Sequence, residues 1–249
     1  MDEPRKLQKD FASVELYWLP LGAGGASHWV RWSGRIFEAI AARRHHRQAC
    51  DLYHSALIVH LGGDRHTIEM APAWGDKQPD RGVVSEGAVG LPWLGHSRFF
   101  RYEIRRWRNG TIPDIAEAVD SPQRLSTDIV RARQLLDLVP AFPTVTWGRD
   151  ELHAGEMWNS NSLTAWLLAR SGHRTDTIDM PARGRAPGWS AGLIVAAIQD
   201  AATTCRTSPS AASRTSCSTW RSDRCWSSPT ASSPASTRRR PARIRPPSR

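Results

Sequence analysis

Residues 155–172 read GEMWNSNSLTAWLLARSG, and this stretch is the one around which the chain is organised. The polar run Trp158-Asn159-Ser160-Asn161-Ser162 leads into apolar positions at helical spacing: Leu163, Trp166, Leu167 and, by its stem, Arg170. Asn159 is placed to cap the helix, Trp158 and Leu163 to form a hydrophobic staple, and Gly172 to end it at C′. Ser160 then falls in the first turn, where free backbone N–H groups and the helix dipole favour negative charge. A nucleophile there would have its oxyanion stabilised by the helix itself. Three roles are open to Ser160: working nucleophile, relic of one, or part of a cap.

Working outward, the N-terminal half reads as strands. Residues 14–19 (VELYWL) are β-rich and stop at Pro20-Leu21-Gly22. Residues 53–61 (YHSALIVHL) and 66–72 (HTIEMAP) flank Gly62-Gly63-Asp64-Arg65, which predicts a tight hairpin centred on Gly63-Asp64. On the first of these strands His54, Ala56, Ile58 and His60 share one face, and Leu57 and Val59 the other. Residues 73–92 read as a loop, and 98–107 as a third strand alternating Phe100, Tyr102 and Ile104 against Arg101, Glu103 and Arg105. Earlier, Gly22 to Gly25 read as a flexible turn rather than a phosphate loop, since no Lys-Ser/Thr ending follows. Residues 28–32 suggest a short return strand. Residues 36–47 suggest a helix whose basic end (Arg43, Arg44, His45, His46, Arg47) suits its dipole.

The second half turns helical. A short turn is expected at 115–119, broken by Ser121-Pro122. A longer helix capped by Ser126 or Thr127 should run to Leu138, burying Ile129, Ala132, Leu136 and Val139. Residues 192–197 (GLIVAA) read as a last strand. Trp147, Trp158, Trp166 and Trp189 read as core or cleft wall.

Charge is unevenly distributed. The net charge is +10, but residues 201–249 hold ten Arg and one acid, Asp223. The first 200 residues thus carry 24 basic (34 − 10) and 23 acidic (24 − 1) side chains, so the body is close to neutral. Any nucleic-acid contact is therefore expected to be nonspecific, salt-sensitive and confined to the tail, with its Arg238-Arg239-Arg240 run. Three of four cysteines lie in the tail and Cys50 stands alone, so no disulfide framework or zinc template is present. No metal or cofactor is implied. The charged N-terminus and the lack of a long apolar run favour a cytoplasmic protein without a membrane span.

His54-Ser55-Ala56-Leu57-Ile58-Val59, followed far downstream by Trp158-Asn159-Ser160-Asn161-Ser162-Leu163, resembles the circularly permuted NlpC-type hydrolases of the papain-like superfamily. That group includes deSUMOylating isopeptidases and lecithin retinol acyltransferase-like enzymes. Residues 14–197 are compatible with its order of elements, though only these two segments carry the similarity. The WNSNS helix also resembles one in uncharacterised actinobacterial proteins. The resemblance implies acyl transfer, with His54 as base and Ser160 at the nucleophile position. The family has Cys there. A serine hydroxyl must lose its proton during attack and so needs a well-oriented base, unlike a thiol readily ionised beside His⁺. Glu69 resembles the acid of some relatives. With the hairpin centred on Gly63-Asp64, however, it pairs with Ile58, ~13 Å along the strand from His54 at ~3.3 Å per residue. Glu103 is an alternative third member.

The expected architecture is therefore α+β, an antiparallel β-sheet with packed helices over residues 12–198, papain-like and permuted. A disordered Ser/Arg/Pro-rich tail is expected over 199–249. The expected function is that of an NlpC-like domain, either a weak serine-dependent hydrolase or a catalytically lapsed one that binds a peptide or acyl-type ligand. In either case Asn159, Asn161 and Trp158 line the site. The alternative is a structural or interaction protein in which WNSNS only caps a helix. The sequence leaves the oligomeric state open.

Overall fold

A computed structural model of the chain describes residues 11–21, 50–73, 81–112 and 114–207. The readings made for residues 22–25, 28–32 and 36–47, and for the tail beyond 207, lie outside them. Seven strands form one antiparallel sheet with a short parallel addition: β1 (Ala12–Pro20), β2 (Asp51–Leu61), β3 (Asp64–Pro72), β4 (Val83–Ala88), β5 (Arg101–Arg108), β6 (Val119–Ser126) and β7 (Gly184–Arg185). The order is β4-β5-β3-β2-β1-β6, with β7 added to β2 at Asp51 and Leu52. Among the described residues three helices follow: α1 (Ile129–Leu138), α2 (Ser160–Arg170) and α3 (Trp189–Thr207). The mixed α/β class and the antiparallel sheet agree with the sequence reading. No helix among the described residues is long and apolar enough to cross a membrane.

Alternation along the strands gives the sheet two unlike faces. One carries Val14, Leu16, Trp18, Leu57, Val59, Ile68, Met70, Tyr102 and Ile104, all buried in a common core with the helices. The other carries Leu19, Ala56 and Ile58 in a second, smaller cluster with Ile112. It also carries a buried ionic chain. Arg105 meets Glu69 at 3.0 Å and Glu103 at 2.9 Å, and Glu103 meets Arg81 at 2.8 Å.

The helices pack on the apolar face. Every residue from Ser160 to Leu168 in α2 is buried, so this helix is enclosed on all sides rather than along one stripe. Trp158 stacks on Phe142 (4.8 Å between centroids), and Phe142 meets Trp166 edge-on. Trp189 of α3 lies 5.2 Å from Trp18 of β1. α3 approaches α2 at Gly192, where a Cβ would stand 2.4 Å from the Ser162 carbonyl oxygen, so only glycine fits.

Several expectations are corrected. The β2–β3 turn is centred on Gly62-Gly63, with Leu61 opposite Asp64, and both glycines have positive φ as a two-residue turn demands. Ile58 therefore pairs with Thr67 and not with Glu69. Residues 192–197 belong to α3, where Gly192, Val195 and Ala196 are buried at helical spacing and Ile194 is exposed, and the expected boundary at 198 falls inside that helix. Residues 98–100 form a 3-10 turn ahead of β5, which leaves Phe100 exposed. Part of the expected 73–92 loop is the edge strand β4. Residues around Ser121-Pro122 form the other edge strand, β6, where a proline costs no sheet hydrogen bond on the open side. The cap of α1 is Asp128, which accepts from Val130 N–H at 2.7 Å.

Candidate functional site

The helix start is built as the sequence predicts. Asn159 has extended backbone and its Oδ1 accepts from Asn161 N–H (2.9 Å) and Ser162 N–H (3.3 Å). Ser162 Oγ accepts in return from Asn159 N–H at 3.2 Å, completing a capping box. At the far end Gly172 (φ 74°) is C′ of a Schellman motif, with His173 N–H on the Leu168 carbonyl and Gly172 N–H on that of Ala169.

The turn is also clamped from outside, by a segment to which the sequence reading assigned no role. The carbonyl of Pro187 accepts from Asn159 Nδ2 (2.8 Å) and Asn161 Nδ2 (2.9 Å), and that of Gly188 accepts from Ser162 Oγ (2.8 Å). Gly188 N–H donates to Glu156 at 2.9 Å. Gly188 has φ 88°, and a Cβ there would lie 2.5 Å from Asn159 Oδ1. The Pro-Gly pair at 187–188 was the available signal, since it marks a turn whose carbonyls point out of regular structure.

The expected catalytic pair is not what meets at this point. Ser55 Oγ donates to Asn161 Oδ1 at 2.9 Å, and Asn161 Nδ2 donates to the Tyr53 carbonyl at 2.9 Å. Each of these partners stands one residue beyond an expected one: Ser55 after His54, Asn161 after Ser160. Since successive residues of a strand face opposite ways, His54 lies on the sheet face turned away from α2. There it sits across from Leu19 and in line with Ala56 and Ile58. Desolvation lowers its pKa to about 4, so the ring is neutral at pH 7. Ser160 is buried (4% exposed), and its hydroxyl is the one polar side chain of the Asn159–Ser162 run that takes no part in the clamp.

Glu69 shares the His54 face but is held by Arg105, its cross-strand partner, at 3.0 Å. Glu103 is likewise held between Arg105 and Arg81. Trp158 does not line an open cleft: its ring is buried on Phe142, and its indole N–H donates to the Pro143 carbonyl at 2.9 Å. The structure thus brings Asn159, Asn161 and Trp158 together, and leaves His54 and Glu69 on the other side of the sheet.

A cleft of about 620 Å³ opens between β6, α1 and the segment after α2. Gln123, Arg124, Arg131, His173, Arg174 and Met180 are among its lining residues. Ser171 Oγ donates to the Leu167 carbonyl at 2.6 Å, so its contact with His173 Nδ1 (2.9 Å) is one in which the ring donates. That leaves His173 Nε2 as a lone-pair acceptor, buried and without a partner among the described residues. Burial, then the Arg131 charge, lower the His173 pKa to about 4.

Comparison with protein-family models, with curated proteins and with solved structures found no match to this chain.

Proposed function

We propose that this chain is a catalytically lapsed NlpC-like domain that acts by binding a peptide or acyl-type ligand. The observation that carries the reading is the Ser55–Asn161 hydrogen bond of 2.9 Å, buried where strand and helix start meet. An acyl-transfer site needs its base within ~2.6–3.2 Å of the nucleophile, and there the facing groups are a hydroxyl and an amide that cannot act as base and nucleophile. A buried central helix capped beside an antiparallel sheet supports the papain-like, permuted architecture. The geometry favours this reading over a working serine hydrolase, because His54 lies on the opposite face.

The ligand site in this reading is the cleft beside His173. Its volume lies in the range of small-ligand pockets, and Leu125 and Met180 suit an apolar chain; a ligand carboxylate would compete for Arg124, Arg131 and Arg174 with Glu15, Asp128 and Asp176, in a lining that also holds Asp120 and Asp179. Labelling with a serine-reactive phosphonate should fail for the parent protein, and Ser160→Cys should react with iodoacetamide at a rate unchanged by His54→Ala. Labelling of the parent that disappears in Ser160→Ala and in His54→Ala would restore the hydrolase. Binding of short acidic peptides or fatty acids, followed by calorimetry, should weaken in Arg131→Gln and Arg174→Gln.

A further inference from the structure

The connection between β4 and β5 is a closed loop with an apolar surface. Val89 N–H donates to the Phe100 carbonyl at 2.8 Å and shuts its base, and Gly90 N–H is held by the Trp147 carbonyl at 3.0 Å. Inside, Ser97 N–H reaches the Leu94 carbonyl and Arg101 Nε reaches that of Gly95 (2.6 Å), so the loop is folded on itself. Such a self-packed loop ordinarily turns its apolar side chains inward. This one exposes Leu91 (39%), Trp93 (66%), Phe99 (69%) and Phe100 (44%).

The loop's own residues carry charge of a single sign. No acid stands between Glu86 and Glu103 in the sequence, whereas His96, Arg98 and Arg101 do. Arg101 is paired with Glu86 at 3.0 Å, and Arg98 is exposed beside Phe99 with no ion pair among the described residues. We infer that this loop is a membrane-docking wedge, which seats Trp93, Phe99 and Leu91 in the interfacial layer of an anionic bilayer with Arg98 at the headgroups.

Indole and phenyl rings are favoured at the boundary between headgroups and acyl chains, and a shallow insertion of ~5–10 Å suits a short loop. An exposed guanidinium complements anionic headgroups. Reversible attachment of this kind is weak when only one signal is present and becomes stable with a polybasic second one. The ten arginines of residues 201–249 supply that second signal by composition. The inference concerns a different part of the molecule from the helix start and stands independently of whether that start is catalytic.

The test is co-sedimentation of the full chain with vesicles of phosphatidylcholine alone or mixed in equal parts with phosphatidylserine. The parent should partition onto the anionic vesicles. Trp93→Ser combined with Phe99→Ser should lower that partition at least tenfold, and Arg98→Glu should lower it severalfold. Val130→Ser, which removes an equally exposed apolar side chain (67%) on α1, should change nothing. Raising the salt separates wedge from tail: it screens the tail's attraction, and the parent should still exceed the double variant. All four side chains are solvent-exposed, so the variants should keep the parent's melting temperature. The inference is overturned if the double variant partitions like the parent. It is also overturned if the parent ignores anionic vesicles, or if size-exclusion shows self-association that the double variant abolishes, which would make the loop a protein interface.

Discussion

The two faces of the sheet are built from the same strands and held by different physics. On the helix side Leu16, Leu57, Ile68 and Ile104 contribute through area removed from water, a non-directional effect. On the other side Arg105 sits between Glu69 and Glu103, with Arg81 closing the chain, and each charge is tolerated only because its partners are in place. The strand period of two assigns every residue to one face or the other. His54 and Ser55 are neighbours in sequence and belong to different sides. A shift of one residue thus decides whether a histidine or a serine meets the start of α2.

The sharpest way to break the comparison is Arg105→Met. It takes from Glu69 and Glu103 the guanidinium they share, leaving Glu103 with Arg81 alone, and should cost about 3 kcal/mol in urea denaturation at neutral pH. The loss should shrink on acidification, as the carboxylates that lost Arg105 take up protons. Leu57→Ala on the apolar side should cost about 2–5 kcal/mol with no such dependence. A pH-independent loss in Arg105→Met would show that the ionic chain is not what holds that face.

Asn161→Ala comes next. It strands the Ser55 hydroxyl and the Tyr53 carbonyl, and removes one of two donors to Pro187, so a loss of about 3 kcal/mol is expected. Smaller again is the histidine effect. His54 and His173 keep folded pKa values of about 4 against an unfolded value near 6.5. Between those limits the unfolded chain binds more protons, so stability should be full above pH 6.5 and fall as the pH drops towards 4. His173→Gln should flatten that decline in melting temperature. The smallest effect is Ser160→Ala, which should stay within about 0.5 kcal/mol because its hydroxyl is outside the clamp.

Local signals were legible in the sequence and long-range ones were not. Asn159 as cap and Gly172 as stop follow from backbone groups within a few residues, and both are found in those roles. Tyr102 and Ile104 were likewise placed on one face by alternation, and both enter the main core. The β2–β3 register was missed because Gly62-Gly63 and Gly63-Asp64 are both acceptable turn centres, and only packing across the sheet chooses between them. GLIVAA in α3 was misread as a strand because a short apolar run has no period of its own. The burial of Ala191, Val195 and Ala196 against other elements settles it as helix. Of the clamp only the turn at Pro187-Gly188 was legible: Asn161 and Pro187 are 26 residues apart, and nothing local announces that an amide will reach that carbonyl.

The edges of the sheet have a consequence for how copies of the chain behave in concentrated solution. Among the described residues β4 and β6 each have one neighbour, and open edges of that kind invite another strand to pair. β6 contains Pro122 and meets β1 with register shifts at Val14/Glu15 and Leu16/Trp18. β4 is six residues long, contains Gly87 and shifts register at Val83/Ser85. Among the described residues neither edge is a long, regular strand, which makes each a poor template for sheet-to-sheet pairing.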